Sequence, residues 1–296
     1  MGKSHSRCRD QGLVTIELSS MTAEDAVAHH YARSSLIEAI EGGLAQMGKT
    51  KDAVTIDDLS AVDEFHIGGR KATEELMAQL GITAADRVLD VGCGLGGPAR
   101  FVADRYKCRV SGVDLTRDYV ETGNRLCQWL GLDCHVTLQQ SSALAMPFHD
   151  STFSKAYMLH VGMNIEDKEN LCLEIARVLQ PGALFAVYDV MQLAEGELLF
   201  PVPWATTSES SAIGSPERYK RALERAGFAI LSERNRKDFA LAYFADQKAR
   251  SLAARVAASL GLHTLMGERR QDQIRNMIAC ISKGIIAPCE LIARKA

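Results

Sequence analysis

A glycine-rich loop between a predicted strand and a predicted helix constrains this chain most. The run RVLDV, residues 87–91, is compact and mostly apolar, as a buried strand is, and Gly92, Gly94 and Gly96 follow it. A helix is predicted from Pro98, because proline suits the first turn of a helix. Glycines there let a ligand approach the backbone, and the helix start offers it free N–H groups. The segment therefore predicts an α/β fold with a ligand site at this loop.

The alternation of strand and helix continues towards residue 190. Further strands are predicted over 109–114, 135–140, 153–160 and 184–190, and helices over 98–106, 116–130 and 166–179. This order implies a parallel sheet with helices on both faces. Right-handed crossovers place the carboxyl ends of the strands at one edge, where ligands of such sheets bind. Residues directly after strands are therefore the first candidates for chemistry.

Helical segments flank this alternating region. On the N-terminal side, apolar spacing predicts one helix over 23–46 and a shorter one over 71–80, separated by a polar stretch. On the C-terminal side, helices are predicted over 241–260 and 269–281. A last strand follows, and Pro288 within it has no N–H to donate, which predicts a place near an edge of the sheet.

Charge and composition exclude several functional classes. The 296 residues carry a net charge of −3, so we expect no nucleic-acid partner. No apolar run approaches the ~18 residues of a membrane span, and the N-terminus lacks the apolar core of a signal peptide. The eight cysteines are scattered and show no zinc-ligand spacing. We expect a cytoplasmic protein with reduced thiols, no metal and no membrane contact.

An acidic residue follows the next strand after the glycine loop. Asp114 ends the predicted strand 109–114, at about the ~20-residue offset at which a carboxylate accepts from ribose hydroxyls. The glycines alone allow two interpretations. Gly92, Gly94 and Gly96 spell the methyltransferase pattern, whereas Gly92, Gly94 and Gly97 spell the dinucleotide pattern of an NAD(P)-dependent oxidoreductase.

Four consecutive motifs resemble class I S-adenosylmethionine (SAM) methyltransferases. These are VLDVGCGLGGPAR, SGVDLTRDYVETGNRL, SALAMPFHDSTFSKAYMLH and ARVLQPGALFAVYD, in the order of that family. The resemblance implies SAM as cofactor and a Rossmann-like, seven-stranded, mostly parallel sheet with helices on both faces. It implies that Asp90 and the three glycines Gly92, Gly94 and Gly96 form the loop that binds the cofactor.

The resemblance also assigns the nucleoside end of the cofactor. It places Asp114 on the ribose and Leu115 against adenine. Where the family usually has Asp-Ala at the adenine edge, this chain has Ser142-Ala143. A serine hydroxyl would replace a charged acceptor by a weaker neutral one, which bears on cofactor affinity.

Two candidate catalytic residues come from a narrower resemblance. MLHVGMNIEDKENLCLEIARVLQPG is similar to a segment of phosphoethanolamine and sarcosine/dimethylglycine methyltransferases, in which the position of His160 is also histidine. In the phosphoethanolamine enzymes this histidine pairs with a tyrosine of an N-terminal helix, for which Tyr31 is the candidate. Imidazole can take a proton at neutral pH, so His160 is a candidate base as well as a cofactor contact.

A glycine pair in the N-terminal region completes the resemblance. The segment FHIGGRKAT, with Gly68, is similar to a part of these relatives that folds over SAM, and His66 in it either faces the ligands or is a solvated loop residue. The implied organisation is a flexible leader over 1–20 and a helical lid over 21–80. The methyltransferase domain spans 81–296, with a C-terminal helical insertion at about 240–282 that covers the acceptor site.

The predicted activity is methyl transfer from SAM to a small molecule. The narrower resemblance favours an amine nitrogen, with oxygen or an activated carbon as alternatives. Two other functions stay open: a SAM-binding natural-product enzyme that transfers no methyl group, and the NAD(P)-dependent oxidoreductase. The sequence leaves the acceptor undefined and is compatible with a homo-oligomer.

Overall fold

The computed structural model describes residues 22–32, 35–253, 260–266 and 270–296. The predicted leader, 1–20, lies outside these ranges. In the described parts, the helices are α1 (Ala23–Tyr31), α2 (Leu36–Gln46), α3 (Ile56–Asp63), α4 (Gly69–Met77), α5 (Gly97–Tyr106), α6 (Arg117–Trp129), α7 (Lys168–Val178), α8 (Pro216–Arg225), α9 (Lys237–Ala253) and α10 (Arg270–Ser282). The strands are β1 (Arg87–Val91), β2 (Arg109–Asp114), β3 (Val136–Gln140), β4 (Phe153–Leu159), β5 (Leu179–Gln192), β6 (Phe228–Asn235) and β7 (Ile286–Lys295).

The strands form one seven-stranded sheet in the order β3-β2-β1-β4-β5-β7-β6. The first five strands of this order are parallel to one another, and β7 runs antiparallel to both of its neighbours. The predicted mostly parallel, Rossmann-like sheet with helices on both faces is confirmed. The strand order reverses beside β1, so the ends of β1, β2 and β4 border the crevice where such sheets bind ligands.

Successive residues of the central strands face opposite sides of the sheet, and each side has its own hydrophobic cluster. Leu89 of β1 packs in one cluster with residues of α7 and α8. Val88 packs in the other with residues of α4, α5 and α6. Both residues are fully buried, so β1 lies at the centre of the sheet's core.

The flanking helices cover the carboxyl edge of the sheet. Ile40 of α2 and Leu59 of α3 share a hydrophobic cluster with Leu126 of α6. On the other side, Met277 of α10 packs with the segment after β5, in a cluster that includes Trp204. The N-terminal and C-terminal helices thus meet the same edge of the sheet, over the ends of the central strands.

The predicted helix over 23–46 is wrong, because it is two helices. The first ends at Tyr31 and the second begins after Ser35, whose φ of 61° is left-handed and interrupts the helical path. The polar stretch before residue 63 also contains a helix that the apolar spacing does not indicate. That helix, α3, begins with a capping box in which Thr55 and Asp58 satisfy each other's backbone N–H groups.

Pro288 does not place the last strand at an edge, since β7 lies between β5 and β6. Pro288 is opposite Val190 of β5. The ladder with β6 ends one residue away, at the pair Asn235–Cys289, and the Pro288 carbonyl accepts from Arg236 at 2.8 Å. The missing N–H therefore falls where β6 has ended, and no hydrogen bond of the ladder is lost.

Candidate functional site

A cavity of about 340 Å³ opens at the carboxyl ends of β1, β2 and β4. Its lining includes the glycine loop and the residue after β4. Three flanking regions also contribute: α1, the segment between α3 and α4, and α9 with α10. The predicted site residues that border it are Tyr31, Asp90, Gly92, Gly94, Asp114, Leu115, Ala143 and His160. Gly68, Gly96 and Ser142 do not border it.

The glycine loop is held against β2. Gly92 and Cys93 donate their N–H groups to the carbonyl of Val113 at 2.8 and 2.9 Å. Gly92 has a φ of 73°, and a Cβ there would lie 2.3 Å from a methyl carbon of Val161, so the turn needs glycine. At Gly94, with a φ of 52°, a Cβ would have only a Tyr119 ring carbon within 4 Å, at 3.9 Å. The backbone at Gly94 therefore faces open cavity.

Asp114 stands at the end of β2 with a fixed orientation. One carboxylate oxygen accepts from the Gly94 N–H at 2.9 Å, and the other accepts from the Thr116 N–H at 2.8 Å. Burial raises the pKa of Asp114, and these two hydrogen bonds oppose the shift. Each oxygen keeps a further lone pair. The carboxylate is therefore positioned to accept hydroxyl groups of a ligand in the cavity.

Asp90 lies deeper, at the end of β1. Only 2% of its surface is exposed, and one oxygen accepts from the Tyr157 hydroxyl at 2.9 Å. Burial raises the pKa of Asp90 to about 8, although the hydrogen bond from Tyr157 opposes it. At neutral pH this carboxyl group is therefore largely protonated and can donate one hydrogen bond.

His160 is the first residue after β4, and it has a left-handed φ of 55°. Its N–H donates to the Tyr188 carbonyl at 2.7 Å, which continues the pairing with β5 by one residue. Among the described side chains, four buried polar atoms lack a hydrogen-bond partner, and His160 Nε2 is one of them. Burial lowers the pKa of His160 well below its usual range. The site thus holds a neutral imidazole with an unused ring nitrogen.

His66 is buried beside His160 and is not a solvated loop residue. The two ring centroids are 6.1 Å apart. His66 Nε2 lies 3.0 Å from the Gly69 carbonyl and 3.1 Å from Thr73 Oγ1, and burial lowers the pKa of His66 to about 4. Gly68 serves packing here: a Cβ on it would lie 2.4 Å from a ring carbon of Phe239.

Tyr31 reaches the cavity from the end of α1. Its hydroxyl donates to Asn164 Oδ1 at 3.3 Å, and its ring centroid lies 6.4 Å from that of Phe65. Burial raises the pKa of Tyr31. The hydrogen-bond partner is therefore the asparagine four residues after His160, and the tyrosine–histidine pairing stays a prediction.

Several lining residues carry no local signal in the sequence. Glu24, in the first turn of α1, accepts a hydrogen bond from the Ser142 hydroxyl. Trp204 is buried at 3% exposure, and its indole N–H donates to Ser211 Oγ at 3.0 Å, so its ring presents an apolar surface to the cavity. Elements that are distant in the chain bring these side chains to the cavity, which periodicity and spacing do not register.

None of the helices in the described residues is long and apolar enough to cross a bilayer. No group of three or more His, Cys, Asp or Glu residues in these ranges could hold a metal ion.

The chain resembles known proteins in its central part. Residues 88–182 match the family model described as a methyltransferase domain. Methyltransferase GfsG from Streptomyces halstedii is 28% identical over 177 residues, which are 59% of this chain and 64% of that protein. Sterol 24-C-methyltransferase from Eremothecium gossypii is 34% identical over 182 residues, 60% of this chain and 49% of that one. The chain thus spans about half to two thirds of the length of these relatives.

Other matches extend further along the chain. O-methyltransferase resE from Aspergillus sclerotiorum is 26% identical over 250 residues, 81% of this chain and 89% of that protein. The crystal structure of geranyl diphosphate C-methyltransferase from Streptomyces coelicolor A3(2) has a TM-score of 0.67 at 19% identity, over 94% and 99% of the two chains. The [4+2]-cyclase SpnF has a TM-score of 0.62 at 22% identity, over 93% and 97%. These two structures share the fold.

Proposed function

We propose that the chain transfers the methyl group of SAM to an apolar small molecule, because residues 88–182 match the family model of a methyltransferase domain. The observation that carries the proposal is the single cavity that joins the glycine loop, Asp114 and His160 to an apolar wall. Cofactor and acceptor would occupy this one space, with His160 between them.

The cavity residues fit the cofactor. The Asp114 carboxylate would accept the ribose hydroxyls with its remaining lone pairs, since its two backbone contacts already fix its orientation. The open face of the Gly94 backbone admits a ligand that a side chain would displace. Leu115 and Ala143 supply apolar surface for adenine at the same end of the cavity. Gly96 and Gly68 would shape the backbone around the site without contacting the cofactor, because neither borders the cavity.

His160 would act on the acceptor. When bound, SAM supplies a methyl group on a positively charged sulfur, and its transfer requires alignment with the acceptor atom and exclusion of water. The bond to the acceptor forms as the carbon–sulfur bond breaks, and the acceptor loses its proton. In the neutral tautomer that carries its proton on Nδ1, the unpartnered Nε2 of His160 has a lone pair that would take that proton.

The apolar wall indicates the acceptor class. It consists of Phe65, Ile67, Met163, Trp204, Tyr243, Phe244, Met266, Ile274 and Met277. The carboxylates that line the cavity all have partners within the protein: Glu24, Asp63, Asp90, Asp114, Glu166 and Asp167. Such partners leave acceptor sites free, as at Asp114, but apolar surface around the acceptor disfavours a charged group, because it removes water from the charge without supplying a partner. We infer a neutral acceptor atom, a hydroxyl oxygen or a carbon, on an apolar skeleton.

Calorimetric titration with SAM, S-adenosylhomocysteine and NADH tests the cofactor. Binding of the first two ligands without NADH is the expected result, and binding of NADH alone would overturn the proposal. Methyl transfer is then measured with matched acceptors that share one apolar skeleton and carry a hydroxyl, an activated carbon or an amine. Transfer to the amine alone would return the acceptor atom to nitrogen, as the sequence resemblance favours.

A substitution in the wall links the acceptor to this cavity. Replacing Phe244 by alanine removes apolar surface from α9, at a position that the family model does not include. We expect a higher KM for the acceptor and an unchanged affinity for S-adenosylhomocysteine. A lower cofactor affinity with an unchanged acceptor KM would show that this wall does not hold the acceptor. Normal cofactor binding without transfer to any acceptor would support the SAM-binding enzyme that transfers no methyl group.

A further inference from the structure

Helix α1 places a carboxylate, that of Glu24, beside the position at which the methyltransferase pattern has an aspartate and this chain has a serine. The chain has Ser142 in the segment after β3, at the position where the resemblance to the methyltransferases described above implies an aspartate. The Ser142 hydroxyl donates to one carboxylate oxygen of Glu24 and accepts from the Leu144 N–H at 3.0 Å. Glu24 and Leu144 both line the cavity, whereas Ser142 does not. The negative charge at this end of the cavity thus comes from outside the core.

The contact is built into the start of α1. A capping box between Thr22 and Asp25 fixes the first turn, and Glu24 lies between these two residues. None of the residues of α1 is fully buried. Among the described residues, Glu24, His30 and Tyr31 of this helix form hydrogen bonds with other parts of the protein. Polar contacts therefore have a large share in holding this helix at the cavity.

We propose that Glu24 recognises the amino group of the cofactor's adenine by accepting a hydrogen bond from it. The inference rests on the proposed function, in which adenine lies against Leu115 and Ala143. Ser142 occupies one carboxylate oxygen of Glu24 with its hydroxyl proton, and a carboxylate has about four acceptor sites. The exocyclic amino group of adenine is a donor and would complete this set. Ser142 is then a positioning residue, and Glu24 is the residue that contacts the cofactor.

The chemistry predicts a specific discrimination. A carboxylate only accepts hydrogen bonds, so it favours an amino group and is repelled by a carbonyl oxygen at the same position. S-inosylhomocysteine has that carbonyl in place of the adenine amino group and carries a proton on N1, where adenine has an acceptor; its ribose and homocysteine are those of S-adenosylhomocysteine. A site that hydrogen-bonds one group discriminates strongly against an analogue that leaves its polar atoms unpaired.

The experiment is calorimetric titration of the full chain with both ligands. The wild type should prefer S-adenosylhomocysteine by about tenfold or more. Glu24→Gln keeps an oxygen that accepts from Ser142 but adds an amide donor. It should lower the affinity for S-adenosylhomocysteine about tenfold and reduce the preference to within about twofold. Glu41→Gln, an exposed position on α2, makes the same chemical change and should leave both affinities as in the wild type.

A second variant separates the carboxylate from its place in the chain. Glu24→Gln combined with Ser142→Asp returns the charge to the core and should restore the preference for S-adenosylhomocysteine. Unchanged affinities in Glu24→Gln would overturn the role of Glu24 while leaving the proposed function intact. Absence of S-adenosylhomocysteine binding by the wild type would instead overturn the proposed function, and this inference with it.

Discussion

A buried ion pair connects the N-terminal helices to the glycine loop, and its removal tests how the loop is held. Arg100 of α5 donates to the Asp63 carboxylate of α3 at 2.6 Å, and both side chains are fully buried. The guanidinium also donates to the carbonyls of Leu95 at 2.7 Å and of Gly123 at 3.2 Å. The Arg100 side chain therefore joins the glycine loop, α6 and α3.

Replacing Arg100 by methionine keeps most of the apolar stem but leaves the Asp63 carboxylate without its charged partner. Breaking a buried pair in this way costs about 3–5 kcal/mol. The pair itself is imperfectly satisfied, since Asp63 Oδ1 and Arg100 Nε have no hydrogen-bond partner. Adding Asp63→Asn removes the isolated charge, so we expect the double variant to recover about 2 kcal/mol of this loss.

The cost should depend on pH. Burial raises the pKa of Asp63 to about 6, and the charge of Arg100 opposes this rise. Without Arg100 the pKa rises further above the unfolded value, so the folded variant retains a proton that the unfolded chain has released. Stability of the Arg100→Met variant then falls as pH increases, and the substitution is more costly at pH 8 than at pH 5.

Urea denaturation at both pH values measures these free energies of unfolding. The matched control is Arg117→Met, because Arg117 pairs with Glu121 on the exposed surface of α6, and its removal should leave the midpoint unchanged. A cost for Arg100→Met below about 1 kcal/mol at pH 8 would refute the reasoning. So would an equal cost at both pH values.

Four further predictions concern the cavity. Asp114→Asn should weaken S-adenosylhomocysteine binding by about 10- to 100-fold in calorimetry, because charge-assisted hydrogen bonds contribute about 1.5–3 kcal/mol. A change below about twofold would contradict the proposed contact between Asp114 and the ribose. His160→Asn, which tolerates the left-handed backbone, should lower turnover about 10²-fold with cofactor affinity unchanged. The wild-type pH–rate profile should show no inflection near 6.5, because burial lowers the pKa of His160 well below that value; an inflection there would contradict the buried neutral imidazole. Burial raises the pKa of Asp90 to about 8 from 3.8, so the folded state holds a proton that the unfolded chain lacks, and stability should fall by up to about 1.4 kcal/mol per pH unit between these values. Asp90→Asn should flatten this slope in urea denaturation series from pH 5 to 8, and equal slopes in both proteins would show that Asp90 is ionised when folded.

The central sheet follows from local sequence because its strands are short, apolar and bounded by turns. β1 and β2 have the predicted bounds, and Asp114 and His160 lie at the carboxyl ends of their strands, as the alternation of strand and helix predicts. Other elements depend on contacts that periodicity does not contain. β5 begins at Leu179, so the gap between the predicted helix over 166–179 and the predicted strand over 184–190 lies inside a strand that pairs with β4.

Local sequence patterns do not predict most of the side chains that form the cavity wall. Glu24 sits in a helix start, where an acidic residue usually signals only the helix dipole. Trp204 and Met277 belong to one hydrophobic cluster that forms only when the segment after β5 and α10 meet. His66 is buried beside the rings of His160, which follows β4, and of Tyr188 in β5. In each case the neighbours that give the residue its role are distant in the chain.

The polar contacts of the N-terminal helices end on segments that also border the cavity. Glu24 meets Ser142 after β3, Tyr31 meets Asn164 after β4, and the Arg100 pair described above reaches the glycine loop. A ligand in the cavity would therefore contact segments that these hydrogen bonds join, and its binding would stabilise the folded chain by RT ln(1 + L/Kd), where L is the free ligand concentration. The glycine loop and Asp114 belong to the sheet edge itself, whereas Glu24 and Phe244 belong to the flanking helices α1 and α9. If both proposals hold, recognition of the adenine amino group and of the acceptor would depend on residues outside the range 88–182 that matches the family model.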